Sequence, residues 1–363
     1  PALPDAPAAQ PPMPTAEPAP STAEPAAPAA PTPPAPVVVV RGGTGTRPAA
    51  VERAIGAPGQ LPGGTSWREH VRVVPGGHGP GRPDMERRDR ARVLLPIRGS
   101  RLIVVLGCTV GAGQTVTTLM LADVLASLRT EAVAALDLNP GQTSLAELAG
   151  SRPAATARGL LASQQPSGPG NPGPGSPGPD QPGPRNTGKL DLIAHDTIGD
   201  GRPDLTDAEY ARLMQILASR YPLTLADPGA TAVGRVMAAA DQLVLVAPAS
   251  VDAARAVAMT MEWLDGHGYS DLVTSAIAVI NGVSKRSMTH VEQAELVVRG
   301  RLRAIVRVPW DDHLGAPRDE RDSGAASRFG QLRPPVQHAY TALAGVLVSA
   351  LAVEPARPHG AAT

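Results

Sequence analysis

The chain has 363 residues, more than one average domain, but its 41 prolines and 38 glycines crowd into two tracts. About 260 residues are left for a single sizeable α/β core. The formal net charge is +0, which excludes an overall field drawing the chain to nucleic acid or acidic lipid.

Two lysines, Lys189 and Lys285, stand against 31 arginines. The single cysteine, Cys108, rules out an intrachain disulfide and fits a reducing cytosol. The apolar runs read as shorter than the ~20 residues of a membrane span, and no charged segment followed by an apolar one opens the chain. The expectation is a soluble protein without a transmembrane segment; the start at Pro1 leaves an upstream segment open.

Residues 1 to about 40 are almost wholly Pro, Ala, Thr and Ser, a composition that buries too little apolar surface to offset chain ordering. A disordered arm of polyproline II character is expected, as a passive spacer or as a docking arm for a Pro-recognising partner. Residues 41–81 stay rich in Gly and Pro, with one extended patch at Val71 to Val74. From Arg82 to Arg101, seven arginines face Asp84, Glu86 and Asp89, which reads as a solvated, mixed-sign lead-in to the first core strand or as a contact for phosphates or an acidic partner. The organisation expected is a Pro/Gly-rich arm over 1–92, one α/β domain over 93–355 with a Gly/Pro-rich insertion at 164–188, and a disordered tail over 356–363.

Arg101 to Thr118 reads as strand, phosphate loop and helix without a break. Ile103 to Leu106 suit a strand covered on both faces, while Gly107, Gly111 and Gly113 permit backbone angles that turn N–H groups toward an anion. A helix beginning near Thr115 adds the positive end of its dipole. The loop departs from the usual Gly-Lys-Ser/Thr: its triplet is Gly113-Gln114-Thr115, which keeps the hydroxyl suited to Mg²⁺ and replaces the phosphate-reaching cation by a neutral amide. By itself such a loop is equally a Gly-rich turn.

Beyond the loop, Thr117 to Leu128 has helical apolar spacing, and Ala132 to Leu138 is a buried strand carrying Asp137 at its end. That acid is either chemistry at the carboxyl end of a strand or a turn cap. A short helix at Ala155 to Ser163, a strand at Leu190 to Ala194, and a helix opened by the capping box Thr206-Asp-Ala-Glu209 follow. The strand Pro222 to Asp227 again ends in an acid, the Walker B arrangement that brings Asp227 opposite Thr115. Helix 231–240, strand Gln242 to Val246, helix 251–266, strand Ala276 to Ile280, helix 287–299, strand Ala304 to Val308 and a helix of about 335–352 complete a mostly parallel, doubly wound α/β sheet. The last helix is read as core rather than membrane-surface, because it lacks a basic polar face.

The order of Thr109-Val-Gly-Ala-Gly-Gln-Thr115, Ala135-Leu-Asp-Leu-Asn-Pro140, Leu225-Ala-Asp-Pro-Gly229, Asp241-Gln-Leu-Val-Leu-Val246, Val279-Ile-Asn281 and Val308-Pro-Trp-Asp-Asp-His-Leu314 resembles the MinD/ParA group of P-loop ATPases. Glu262-Trp-Leu-Asp-Gly-His-Gly-Tyr269, Leu332-Arg-Pro-Pro-Val-Gln-His-Ala-Tyr340 and the Pro-rich arm are similar to actinobacterial EspI-like proteins encoded with type VII (ESX) secretion systems. The resemblance covers about 93–355.

It implies ATP and Mg²⁺ as ligands. Gly111, Gly113, Gln114, Thr115 and Val116 would surround the phosphates, Thr115 and Asp227 would support Mg²⁺, Asp137 would position the attacking water, and Asn281 with the Pro309 segment would hold adenine. Two loop lysines of the family, one reaching the phosphates and one acting across a nucleotide-dependent homodimer, are replaced by Gln114 and Thr109, which implies weak or absent hydrolysis. The implied role is an accessory or regulatory ATPase-like component of type VII secretion, cytoplasmic or peripheral at the inner face of the membrane. The alternatives are a non-catalytic scaffold binding partners through its Pro-rich arm, and a chromosome or plasmid partitioning ATPase with ATP-dependent DNA binding.

Overall fold

The computed structural model describes residues 73–74, 82–139, 144–163, 189–195, 204–314 and 328–353. All lie in the second of two units into which the chain divides, Pro34–Thr363. The arm up to residue 72, the 164–188 insertion, the tail from 356, and Pro140 to Thr143 of the segment leaving the Asp137 strand lie outside the described residues.

Among the described residues, nine strands, β1 (Val73–Val74), β2 (Arg101–Gly107), β3 (Val133–Leu138), β4 (Ala155–Thr156), β5 (Leu190–Ala194), β6 (Leu223–Pro228), β7 (Gln242–Pro248), β8 (Ile277–Val283) and β9 (Ala304–Pro309), form one sheet. Its order is β1-β9-β8-β7-β2-β6-β3-β5-β4, and the neighbours pair in parallel. The chain starts the core at β2, builds outward through β3, β4 and β5, returns to insert β6 beside β2, and then extends the other way through β7, β8 and β9. The loop after β2 therefore opens at the point where the order reverses, which is where open parallel sheets place their ligand sites.

Successive strand residues face opposite layers. Leu102, Val104 and Leu106 pack into the core beneath α5 (Asp207–Arg220), α7 (Ala253–Gly266) and α9 (Met288–Val298), while Ile103 and Val105 enter the core beneath α2 (Gln114–Leu128) and α11 (Pro334–Val353). The capping box that opens α5 is formed: the Glu209 N–H donates to Thr206 Oγ1, and Glu209 Oε2 accepts from the Thr206 N–H at 2.7 Å. The helix expected over 231–240 contracts to α6 (Val233–Met237), because the N–H groups of Ala239 and Ala240 bond three residues back and tighten the chain into turns. Likewise, Ala155–Thr156 joins the sheet as β4, and the helix expected there begins at α4 (Ala157–Ala162). Further short helices are α8 (Ser270–Ser275) and α10 (Arg328–Gln331), and α1 and α3 are described below.

The Arg-rich lead-in differs most from its expectation. Residues Arg82–Val93 form a helix, α1, lying along α11. Gly345 marks the contact, since a Cβ there would sit 2.8 Å from the Asp89 carbonyl oxygen. Apolar periodicity does not signal α1; of its side chains Asp89 and Val93 are the fully buried ones. It forms because α11 is apolar around most of its circumference and must be covered. Unlike the exposed Arg87 and Arg90, Arg101 is not solvated: it is 2% exposed, pairs with Asp241 at 3.3 Å and donates to the Leu351 carbonyl at 3.1 Å. The 20 residues of α11 meet the length and apolarity of a membrane span, which corrects the reading that every apolar run is too short. Within the protein, Leu343, Leu347 and Leu351 of this helix are buried in the core.

Candidate functional site

Strand register sets the acids of the site. In the β3–β6 pair Asp137 stands directly opposite Asp227, both at the carboxyl ends of buried strands. The loop after β2 rises above them and enters α2 at Gly113, whose φ of 88° is the left-handed conformation that a residue without Cβ adopts at little cost. A Cβ at Gly113 would also come within 2.1 Å of Asn281 Nδ2, so a side chain here requires that amide to shift. Glycine at the N-cap supplies no side-chain acceptor to the first-turn N–H groups of a 15-residue helix. That end suits an anion.

Gln114 does not point at the anion position. Its Oε1 accepts from the Gly107 N–H at 2.7 Å, and its Nε2 donates to Asp227 Oδ1 at 2.7 Å and to the Pro228 carbonyl at 2.9 Å. One neutral amide thus ties the end of β2, the start of α2 and the end of β6 together. Asp227 is fully buried, and burial pushes its pKa up to about 7; the Thr115 hydroxyl and the Gln114 amide oppose that rise, while the neighbouring Asp137 adds to it. Asp227 Oδ2 meets no hydrogen-bond partner. An orphaned carboxylate oxygen beside a helix-borne hydroxyl is a donor set that fits a hard divalent cation.

Asp137 is engaged on both oxygens. Oδ1 accepts from the Asn139 N–H at 3.0 Å, and Oδ2 accepts from the Leu145 N–H at 2.8 Å, at the first turn of α3 (Leu145–Ala149). Burial raises its pKa, and these two N–H groups work against the rise. The acid therefore shapes the loop between β3 and α3 as well as facing Asp227. Helix α3 carries its own capping box between Ser144 and Glu147.

The remaining expected residues are brought to the rim. Asn281 Nδ2 donates to the Ala112 carbonyl at 3.3 Å, so this amide holds the loop itself. Gly111 has φ of 76°, Val116 packs partly buried against the α2 side of the core, and Pro309 ends β9 opposite Val283, after a bulge between Asn281 and Val283. Thr109 Oγ1 is buried without a hydrogen-bond partner. Cys108 is a buried thiol whose pKa is pushed up to about 12, which keeps it protonated and inert. The Gly107 N–H, expected to turn toward an anion, donates to Gln114 instead; the sequence gives no sign of the Pro228 carbonyl as a partner of Gln114, or of Trp310, which is 62% exposed at the exit of β9. Backbone partners leave no mark in a sequence, and the exposure of an aromatic residue is set by its tertiary neighbours.

No family model matches the chain. The fold is that of the MinD/ParA P-loop ATPases: the ParA family ATPase from Chlorobium tepidum TLS superposes with a TM-score of 0.52 at 17% identity, covering 68% of this chain and 99% of that one. A chain of the MinC:MinD cell division protein complex of Aquifex aeolicus superposes with a TM-score of 0.50, again at 17% identity, covering 68% and 95%. Among curated proteins, the chain is 31% identical over 238 residues to the ESX-1 secretion-associated protein EspI of Mycobacterium tuberculosis, in strains H37Rv and CDC 1551 alike. That match covers 62% of this chain and 34% of EspI, so the chain spans about a third of the length of the curated relatives it matches.

Proposed function

We propose that this chain is an accessory, regulatory component of type VII secretion that holds ATP at the β2–α2 loop and hydrolyses it slowly or not at all. The secretion role is supported by the similarity to EspI, and the nucleotide by the uncapped start of α2 above a paired Thr115 and Asp227. When bound, Mg²⁺ would neutralise phosphate charge; Thr115 and Asp227 are the residues that would hold it, and the N–H groups around Gly111, Gly113 and Val116 would face the phosphates. Slow turnover is carried by one observation: the side chain at the place of the phosphate-reaching lysine is an amide bonded to Gly107, Asp227 and Pro228. Losing one charge-stabilising donor costs about 10²–10³ in rate, and Thr109 leaves the second cation missing as well. Losing one hydrogen bond to a charged group costs about 1.5–3 kcal/mol in binding, which leaves a micromolar site filled at millimolar ATP.

Calorimetry with ATP and Mg²⁺, paired with a phosphate-release assay, tests this. Micromolar to submillimolar binding with release near background is the expected pair of results; no binding at millimolar nucleotide sinks the reading. The second reading, a scaffold without nucleotide, draws on the same Gln114 bonds, because they commit the side chain at the cation position and one oxygen of Asp227 to partners inside the protein.

A further inference from the structure

Several polar groups at the carboxyl ends of β2, β3 and β6 are bonded inside the protein. The Gln114 amide accepts from the Gly107 N–H at 2.7 Å and donates to Asp227 Oδ1 at 2.7 Å and to the Pro228 carbonyl at 2.9 Å. The Asn139 and Leu145 N–H groups donate to the two oxygens of Asp137, at 3.0 Å and 2.8 Å. The Gly229 N–H, just beyond the end of β6, donates to the Leu138 carbonyl at 3.0 Å and so fastens the exit of β6 to the end of β3. The start of α2 differs, since Gly113 offers no side-chain acceptor to the first N–H groups of that helix.

A phosphate loop reads the last phosphate of a nucleoside triphosphate through a cation that reaches it and through neighbouring segments that rearrange around it. Here residues 107–118 contain no lysine, arginine or histidine, and the chain leaving β3 and β6 is tied at Asn139, Leu145 and Gly229. Asp137 and Asp227 stand side by side at the same strand ends and, when ionised, oppose a further negative charge. The earlier phosphates lose less, because a glycine loop and a helix start hold them by backbone N–H groups. We infer that Gln114 makes this site indifferent to the third phosphate: ADP is held as tightly as ATP, and the nucleotide is a standing ligand rather than a two-state signal. This rests on the nucleotide reading above and names the residue that sets its specificity.

Calorimetry on the full chain with AMP, ADP and the non-hydrolysable triphosphate AMP-PNP, each with Mg²⁺, tests this. AMP-PNP should bind no more than about threefold tighter than ADP, while AMP, which lacks the second phosphate, should bind about tenfold or more weaker than ADP. In Gln114→Lys, AMP-PNP should come to outbind ADP by about tenfold. Hydrogen exchange of the peptides containing Leu145 and Gly229 should be the same in the ADP and AMP-PNP complexes of the unaltered chain. AMP-PNP more than about threefold tighter than ADP in that chain overturns the inference and leaves the nucleotide reading intact. Slower exchange of those peptides with AMP-PNP than with ADP does the same. A folded Gln114→Lys that gains equally for both nucleotides removes Gln114 as the residue that discriminates. AMP bound as tightly as ADP, or no binding of any of the three at millimolar concentration, means that the loop holds no phosphate, and the nucleotide reading falls together with the inference.

Discussion

Gln114 Nε2 lies 2.7 Å from Asp227 Oδ1, so the residue at the phosphate-loop cation position is hydrogen-bonded to the acid at the end of the neighbouring strand. Because the same amide also accepts from the Gly107 N–H, it acts as a strut across β2, α2 and β6. Gln114→Met keeps the length of the side chain and removes all three bonds. The folded state should lose about 1–3 kcal/mol through the stranded Gly107 N–H and the Asp227 carboxylate. A fall of about 3–10 °C in Tm is expected by differential scanning calorimetry, and an unchanged Tm would show the strut to be energetically idle.

Gln114→Lys places a charge where the amide now lies. In the empty protein the ammonium would face Asp227 and draw its pKa down from about 7. With ATP and Mg²⁺ present, affinity should rise about tenfold to a hundredfold by calorimetry, from a charge-assisted bond to phosphate. Phosphate release should stay near background until Thr109→Lys is added. A single variant that is folded and binds ATP no better than the unaltered chain would remove phosphate from the β2–α2 loop.

Asp227 makes stability depend on pH in an unusual direction. Burial raises its folded pKa to about 7 from an ordinary value of 3.8, so between these limits the folded chain holds a proton that the unfolded chain has lost. Stability from this group is therefore present below about pH 4 and is lost as pH rises toward 7, at up to about 1.4 kcal/mol per pH unit. Urea midpoints of the unaltered chain and of Asp227→Asn, measured from pH 4 to pH 8, should converge at the acidic end and separate at the neutral end, with the Asn variant the more stable there. Parallel curves would mean that the carboxyl titrates normally.

Gly113 and Asn281 are coupled through space. Gly113→Ala meets Asn281 Nδ2 at 2.1 Å and also forces a left-handed φ of 88° on a residue with a Cβ. The single change should cost about 2–4 kcal/mol. Adding Asn281→Gly should recover the steric part while leaving the backbone strain of about 1 kcal/mol, a non-additive cycle readable by urea denaturation. Simple additivity of the two changes would show that the amide moves aside freely.

Gly345 provides a test of how α1 is held. Ala in place of Gly ordinarily stabilises a helix interior by about 1 kcal/mol. Here the new methyl would lie 2.8 Å from the Asp89 carbonyl and 3.3 Å from Arg92 Cβ, so Gly345→Ala should push α1 outward. Faster amide exchange across residues 84–93 than in the unaltered chain is the expected readout, with the β2 amides unchanged. Slower exchange there would mean that the two helices close around the methyl group.

Local patterns were enough to find the parallel sheet. Seven of its strands are apolar runs bounded by turn residues, and the Thr206–Glu209 capping box opens α5 where its residue types require it. The same one-dimensional signal missed α1, because a helix that buries little more than Asp89 and Val93 has no apolar period to detect. Its reason for existing lies about 250 residues away in α11. Arg101 was likewise misjudged as solvent-facing, since its partners Asp241 and the Leu351 carbonyl are distant in sequence.

At the site, the sequence by itself determined which chemical groups are available: a glycine loop, one hydroxyl at Thr115, two strand-end acids and no lysine. Residue type is enough for that, because a missing ammonium cannot be supplied by folding. What the groups do to one another was decided by the tertiary structure. Register set Asp137 beside Asp227, burial moved the pKa of Asp227 to about 7, and the crossing of β2, β6 and α2 turned Gln114 inward onto Gly107, Asp227 and Pro228. Hydrogen bonds and desolvation depend on distances in space between residues up to 114 positions apart, and a linear sequence holds no such distances.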